Sequence, residues 1–459
     1  MKRHWARFVG GMLAALTALL AFPLAAGASS NSQRCDIRDF GAVSRDESAD
    51  TDAIQQAVDQ CSGTGGTVLV PAGDWSTGTV RLGSNMTFLI DDGAVLSLHP
   101  DIALFPETII RQDEGTASVR AALLADGVTG LRIDGAGRIE GNGEAFWDED
   151  FYDSGLRRPT LPRPGPVIEL ANCRDTHLSG ITMTNMPAYA VRFHACSDVS
   201  ATGITIRNDP RSPNTDGIQI RDTSNMRISD VDIRTGDDAI VLKSGQRPVD
   251  NILVEDSYLE SDDAALKFGT SSHVGVTNSV FRNLQIRNSR YGIAIFMIDG
   301  GMHQNNVFEN IDIETGGRHL RQFPIFIDID RRDADRSLGR VVDTVFRDMT
   351  IMTGGASLIA GNPEAPIEGL SLQNITISVS GPIDLATASS KPRGNIEIEG
   401  QRGSVDYSSA NAHFALGHIR GLSLNDIAIV EQHGASTRAD MFMQDVLYDL
   451  PLDSDGVSR

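Results

Sequence analysis

The sequence predicts an all-β chain, a right-handed single-stranded parallel β-helix with an N-terminal capping helix. Two observations carry that expectation. A short strand ending recurs as GITM (180–183), GITI (203–206), DVDI (230–233), SYLE (257–260), NLQI (283–286), NIDI (310–313), DMTI (348–351) and NITI (374–377). From Met183 to Ile377 the steps between last apolar residues are 23, 27, 26, 27, 27, 38 and 26 residues. One apolar alternation per step of that size is a solenoid signature, because a single coil cannot bury its inward face and stacked coils can. Composition agrees: 45 glycines and abundant Asp, Asn, Ile and Val favour strands and tight turns over helices. Leucine-rich repeats share the period but need a Leu-x-x-Leu-x-Leu frame, whereas each coil here reads strand, turn, strand.

The elements follow in order. Lys2, Arg3 and Arg7 precede a short apolar run and a small-residue Ala26-Gly27-Ala28 site, the pattern of a secretory signal peptide over residues 1–28. Export to the periplasm or medium is the expectation, and no later segment is apolar enough to span a bilayer. Loss of three basic residues takes the net charge from −21 to −24. That balance argues against nucleic-acid partners and for a self-repelling, soluble monomer. Next, Asp52 is placed to cap a helix in which Ile54, Ala57, Val58 and Cys61 form one apolar stripe, suited to covering the first coil. Cys35 and Cys61 are expected to pair in an oxidising compartment; Cys173 and Cys196 are either bridged or stacked in the core. The 38-residue step contains the charged stretch 327–340, expected to project as a loop. No linker interrupts residues 29–459, which read as one domain with a less regular end after about Gly434.

Aligning coils by strand pattern puts Asp216-Gly-Ile-Gln-Ile over Asp238-Ala-Ile-Val-Leu, so Asp216 and Asp238 share a column, with Asp237 beside them. Strands in a sheet lie about 4.8 Å apart, so these carboxylates are neighbours. Crowded carboxylates repel, which raises a pKa and keeps one proton available. Glycoside cleavage needs such a set: a carboxylic acid to protonate the leaving oxygen and a carboxylate to activate water or attack. Taken singly, Gly-Asp-Asp and Asn-Thr-Asp-Gly are ordinary turn sequences; their stacking in one column points to chemistry. Around them, Lys267 shares an outward column with Gln219, Val241 and Ala294, and Lys243 ends the Asp237-Asp238 strand. Both lysines, and Arg331 or Arg332 from the long loop, are candidates to bind a uronate or hydroxyl. Tyr291 shares the column of Asp216 and Asp238 and is a candidate to stack on a sugar ring, against a role in core packing. His273 and His303 lie on later coils and read as solvated turn residues, with a reach into the carboxylate site as the alternative. The ten histidines show no zinc spacing, and neither a phosphate loop nor a Gly-x-Ser-x-Gly elbow is present, so no metal and no cofactor is expected.

At these motifs the sequence resembles the polygalacturonase-type enzymes of glycoside hydrolase family 28, which degrade pectin. SPNTDGIQI (212–220) followed by RTGDDAIVLKSG (234–245) resembles that family's paired signature. DFGAVSRDESADTDAIQQAVDQC (39–61), GGTVLVPAGDWSTGTVRL (65–82) and GRIEGNGEAFWD (137–148) resemble its amino-terminal half, so the likeness runs from about 37 to 380. It implies inverting hydrolysis of a pectic polysaccharide, with Asp237 as general acid, Asp216 and Asp238 holding the water, and Asn214 in the substrate-binding set. The likeness breaks at two later elements. Where the family carries Gly-His-Gly and Arg-Ile-Lys, this chain has Asp263-Ala264-Ala265 and Ala294-Ile295-Phe296. The missing Arg and Lys would grip a substrate carboxylate, and the strong negative charge makes neutral or branched sugar units equal candidates. Two other readings compete: a lyase, with Ca²⁺ on Asp216, Asp237 and Asp238 and Lys243 or Lys267 removing a proton, and a non-catalytic glycan-binding β-helix.

Overall fold

The computed structural model describes residues 33–46, 48–152, 155–318, 322–381, 411–431 and 438–449. The leader, residues 1–28, and Gly434 lie outside them. The described chain is a right-handed parallel β-helix: 31 strands form one continuous sheet wound into coils, and each strand pairs with its counterpart one coil on. One stack runs Ile168–Ala171, Val191–His194, Ile218–Arg221, Ile240–Lys243, Ala264–Phe268, Tyr291–Met297 and Phe323–Ile329, all parallel and in register. Two further stacks complete each coil, and from Val249–Ser261 onward they merge into single long strands bent at one residue.

The bends explain why Asn and Asp recur. Asp256, Asn283 and Asn310 adopt left-handed backbone (φ 52, 54 and 52°), which those residue types tolerate. Each amide then bonds the side chain one coil earlier: Asn283 Nδ2 donates to Asp256 Oδ1 and Asn310 Nδ2 to Asn283 Oδ1, both at 2.8 Å. Inside, identical columns stack apolar side chains. Phe281, Phe308 and Phe346 form a ladder with ring centroids 4.9 and 4.7 Å apart.

The helix Thr51–Cys61 buries Ala53, Ile54, Ala57, Val58 and Cys61 at the start of the solenoid, as its apolar stripe predicts. Its boundary differs from expectation. Asp50 is the flanking residue and Asp52 lies within the first turn; the Asp50 carboxylate accepts from Val43 N and Ser76 N, tying the helix entrance to two loops. Cys35 and Cys61 are joined in a disulfide. Cys173 and Cys196 are buried and unbridged, and Cys173 N–H points at Cys196 Sγ 3.4 Å away. The charged insertion is shorter than expected, because residues 327–329 belong to the strand Phe323–Ile329 and only 330–339 form the loop. The strand Ala439–Tyr448 adds a further paired coil edge beyond the point where regularity was expected to fade. Among the described residues no helix is long and apolar enough to cross a membrane.

Phe308 sits in the middle of the ring ladder and is fully buried. Phe308→Ala is expected to lower unfolding free energy by about 3–5 kcal/mol, read by denaturant titration; a loss well under 1 kcal/mol would mean the ladder contributes little.

Candidate active site

The turns that enter the outward stack deliver the carboxylates. The register Ile218 to Ile240 gives Asp216 and Asp238 equivalent places on neighbouring coils, and Gly217 N–H donates to the Asp238 carbonyl at 2.9 Å. The register Ile240 to Leu266 puts Asp263 over Asp237 in the same way. Hydroxyls of Thr235 and Ser261 both donate to the Asp237 carbonyl, at 2.5 and 2.7 Å, which fixes the Gly-Asp-Asp turn. Asp216 and Asp238 are 3 and 4 % exposed, while Asp237 is half-buried and reaches outward.

Electrostatics divide the carboxyls. Burial first, and the Asp237 charge second, push Asp216 up to about 6, with Lys243 and a 2.9 Å bond from Gln219 Nε2 to Oδ2 pulling the other way. Its other oxygen, Oδ1, is buried and has no hydrogen-bond partner. Burial also pushes Asp238 up, opposed mainly by Lys267. Lys267 Nζ lies 3.0 Å from Asp238 Oδ1 and 3.2 Å from Asp263 Oδ2, and 5.2 Å from the centre of the Phe296 ring. Burial disfavours its charge, but Asp238 and Asp263 outweigh that and hold the ammonium protonated. Among the described residues, Asp237, Asp238 and Asp263 are three carboxylates close enough together to hold a cation, a different trio from that expected for a Ca²⁺ site, and the ammonium already serves two of them.

The other sequence-predicted residues distribute unevenly. Asn214 lies at the site: Nδ2 donates to Asp237 Oδ2 at 3.4 Å, and its Oδ1 accepts from Arg163 at 3.0 Å. Lys243 sits one strand beyond Arg221, where its charge stabilises the Asp216 carboxylate. Tyr291 is in the expected column but is 1 % exposed, stacked on Phe323 at 5.1 Å with Phe326 and Phe296 edge-on. The core-packing alternative therefore holds for Tyr291, and no sugar can lie on its ring. Arg331 and Arg332 pair with Glu364 and Asp299. His303 is no turn residue: it is buried against Phe268, accepts from Val276 N–H, and burial pushes it down to about 3. His273 is exposed.

Three neighbours went unread in the sequence. Tyr189 occupies the column position one coil before Asp216; that charge, then burial, raise its hydroxyl to about 12. The 27-residue repeat step points to it. Asp263 follows from the same arithmetic applied to Asp237. Arg163 comes from an irregular segment, bonding the carbonyls of Pro187 and Pro213 at 2.8 and 2.9 Å, and no periodicity marks it. A groove of about 620 Å³ lined by Asp230, Tyr258, Asn283 and Asp312 lies at the Asn/Asp bends and contains none of these residues.

An outward sheet face carrying clustered carboxylates of unequal proton affinity, on a parallel β-helix, is chemically suited to glycosidic cleavage. Comparison with known proteins identifies the class. Residues 67–393 match the model of "Glycosyl hydrolases family 28", and the chain belongs to that family. It is a glycoside hydrolase. A probable polygalacturonase of Vitis vinifera is 26% identical over 391 residues, covering 79% of this chain and 77% of that one. An endo-polygalacturonase of Pectobacterium parmentieri is 26% identical over 364 residues, covering 72 and 85%. Among solved structures, a family 28 exopolygalacturonase of Yersinia enterocolitica superposes with a TM-score of 0.71 at 18% identity, covering 90% of this chain and 77% of that one, a likeness of fold.

Two outcomes follow from the charges. Lys267→Met leaves Asp238 and Asp263 without their ammonium and is expected to cost about 3–5 kcal/mol of stability, measured by denaturant titration. Asp328, in the outward column after Phe296, is buried, its Oδ1 has no hydrogen-bond partner, and burial aided by Asp330 raises it to about 7. A folded value above the unfolded one means that stability is lost as pH rises from about 4 to about 7. Asp328→Asn is therefore expected to be more stable than its parent above about pH 7, by up to about 4 kcal/mol, with the difference shrinking toward pH 4. A difference independent of pH in paired melting curves would contradict this assignment.

Proposed function

We propose that the protein is an exported, pectin-degrading hydrolase that cleaves glycosidic bonds by inverting acid–base catalysis. Asp237 is the general acid and protonates the leaving oxygen; Asp216 and Asp238 hold and activate the water that attacks from the opposite side of the sugar. The observation that carries the assignment is Asp216 Oδ1, a buried carboxylate oxygen without a partner beside two further carboxyls. An acceptor left open there is what a nucleophilic water requires. Asp237 is the carboxyl of the three that reaches outward, where a leaving oxygen would lie, and Asn214, itself held by Arg163, steadies it. Lys267 and Asp263 set the charge of Asp238 from behind, so Lys267 serves as a counter-ion more than as a grip for a substrate carboxylate. Lys243 remains as the cation available to a uronate. Family membership and the names of the relatives support a pectic substrate, and the leader sequence supports export.

A Ca²⁺-dependent lyase would use Asp237, Asp238 and Asp263, whose oxygens come close enough to share a cation, but the Lys267 ammonium between Asp238 and Asp263 weighs against a cation there. Reducing-end release and ultraviolet absorbance, followed together on polygalacturonan, rhamnogalacturonan and neutral polysaccharides, separate the readings. Hydrolysis is expected without absorbance and indifferent to chelator, with Asp237→Asn slower by about 10² or more. Anomer-resolved NMR of the first product is expected to show inversion. Absorbance that disappears with chelator would make the protein a lyase, and no release from any substrate would leave glycan binding.

A further inference from the structure

We infer that the site is a pocket closed at both ends of the coil axis, so that it takes the terminus of a glycan chain and releases units from that end. This rests on the hydrolase reading above and specifies its mode of action. A glycan bound by its interior needs a wet, polar floor that continues on both sides of Asp237. The outward column through Lys267 shows where such a floor exists, because the register fixes its occupant on every coil.

Past Lys267 the floor ends. The next occupants are Ala294, Phe326, Leu358 and Ala415, all 0–2 % exposed. With Tyr291, Phe296 and Phe323 they form an apolar block on the outward face, buried like a core. Lys267 itself leans on that block through Phe296. Apart from Asp328, which is itself buried, such a surface offers sugar hydroxyls no hydrogen bond, and burying an unpaired hydroxyl costs about 1–3 kcal/mol by mutational scales.

Before Arg192 the floor ends as well. Glu169 is fully buried, its carboxylate 2.7 Å from Arg192 Nε and 3.6 Å from His194 Nδ1. One coil earlier, Leu124 lies in an apolar cluster with Ile110 and Val119 from the hairpin formed by Thr108–Arg111 and Thr116–Val119. The hairpin tip is fastened across to the loop that follows the Asp237-Asp238 strand: Arg247 pairs with Asp113, and Gln246 bonds Gln112 and Glu114 at 3.0 and 2.9 Å. On the opposite flank, the hairpin of Trp147–Phe151 and Arg157–Pro159 is tied to the turn before Asp216 by Arg157 N–H to Arg211 O. What stays accessible on the outward face of these strands is Arg192, Arg221, Lys243 and Lys267, with Gln219 and Val241 buried between them, whereas every residue of Ile168–Ala171 before them and of Tyr291–Met297 after them is buried; the accessible stretch is three inter-coil steps or about 14 Å. That length suits a chain end and cannot pass a polymer through.

The test is the product pattern from polygalacturonan and rhamnogalacturonan, and from oligosaccharides of defined length cut from each. Chromatography is expected to show one product size from the first time point, with viscosity falling far later than reducing ends appear. Capping one chain terminus of the oligosaccharides is expected to lower kcat/KM by about tenfold or more. A ladder of intermediate sizes with an early fall in viscosity, and indifference to capping, would overturn the closed pocket while leaving the hydrolase intact. No hydrolysis of any probe would instead remove the hydrolase reading, and this inference with it.

Discussion

In-register stacking of parallel strands is the constraint on which everything else in this molecule depends. Once Ile218 lies over Ile240 and Ile240 over Leu266, every side chain is delivered to the place its counterpart holds one coil earlier. Inward, that repetition is favourable, since identical apolar groups pack flat, as Phe281, Phe308 and Phe346 do. Outward, the same repetition is a hazard, since like charges are stacked at the spacing of the sheet. At the site the chain accepts that hazard for four carboxylates at once.

How it is accepted is visible in the partners. Asp216, Asp237, Asp238 and Asp263 occupy two columns on three successive coils, and water is scarce around all but Asp237. Lys267, entering from the third coil, shares its charge between Asp238 and Asp263, and Arg290 stands 3.7 Å from Asp263. Burial and then the Asp237 charge hold the Asp216 proton up to about 6, since the charge of Lys243 and the bond from Gln219 only partly offset them. The unequal distribution of burial and of nearby cations among stacked acids gives groups of identical chemistry different proton affinities.

Legibility in the sequence follows from the same geometry. What repeats could be read: the coil period, the stacked Asp216 and Asp238, the cap helix with its stripe, and the Cys35–Cys61 pair. What does not repeat could not. Arg163 reaches Asn214 from an irregular segment between turns, and the fastening of Gln246 and Arg247 to the hairpin joins residues more than 130 positions apart. Tyr291 shows a third kind of gap. Column position tells which face a side chain is on, but whether that face is wet depends on neighbours such as Phe323 and Phe326, whose shared burial no single coil reveals. Asp50 against Asp52 is the ordinary uncertainty of a helix boundary, settled by which carboxylate the loops at Val43 and Ser76 need.

The departure from the family's motifs and the closure of the site are one change seen twice. Ala294 and Phe296, the residues that the sequence resemblance sets against an expected Arg and Lys for a substrate carboxylate, both belong to the outward apolar block. Two cations there would need counter-ions or open water; replaced by a methyl and a ring, the coil can be buried. Once buried, it no longer supplies a binding position beyond the reacting bond. Lys267, one coil earlier, is then the last charge of the floor, and it is committed to Asp238 and Asp263. The loss of grip on one side therefore does not read as decay of the site, because the carboxylates keep an organised counter-ion. It reads as a trade in which a length of groove has been exchanged for a wall.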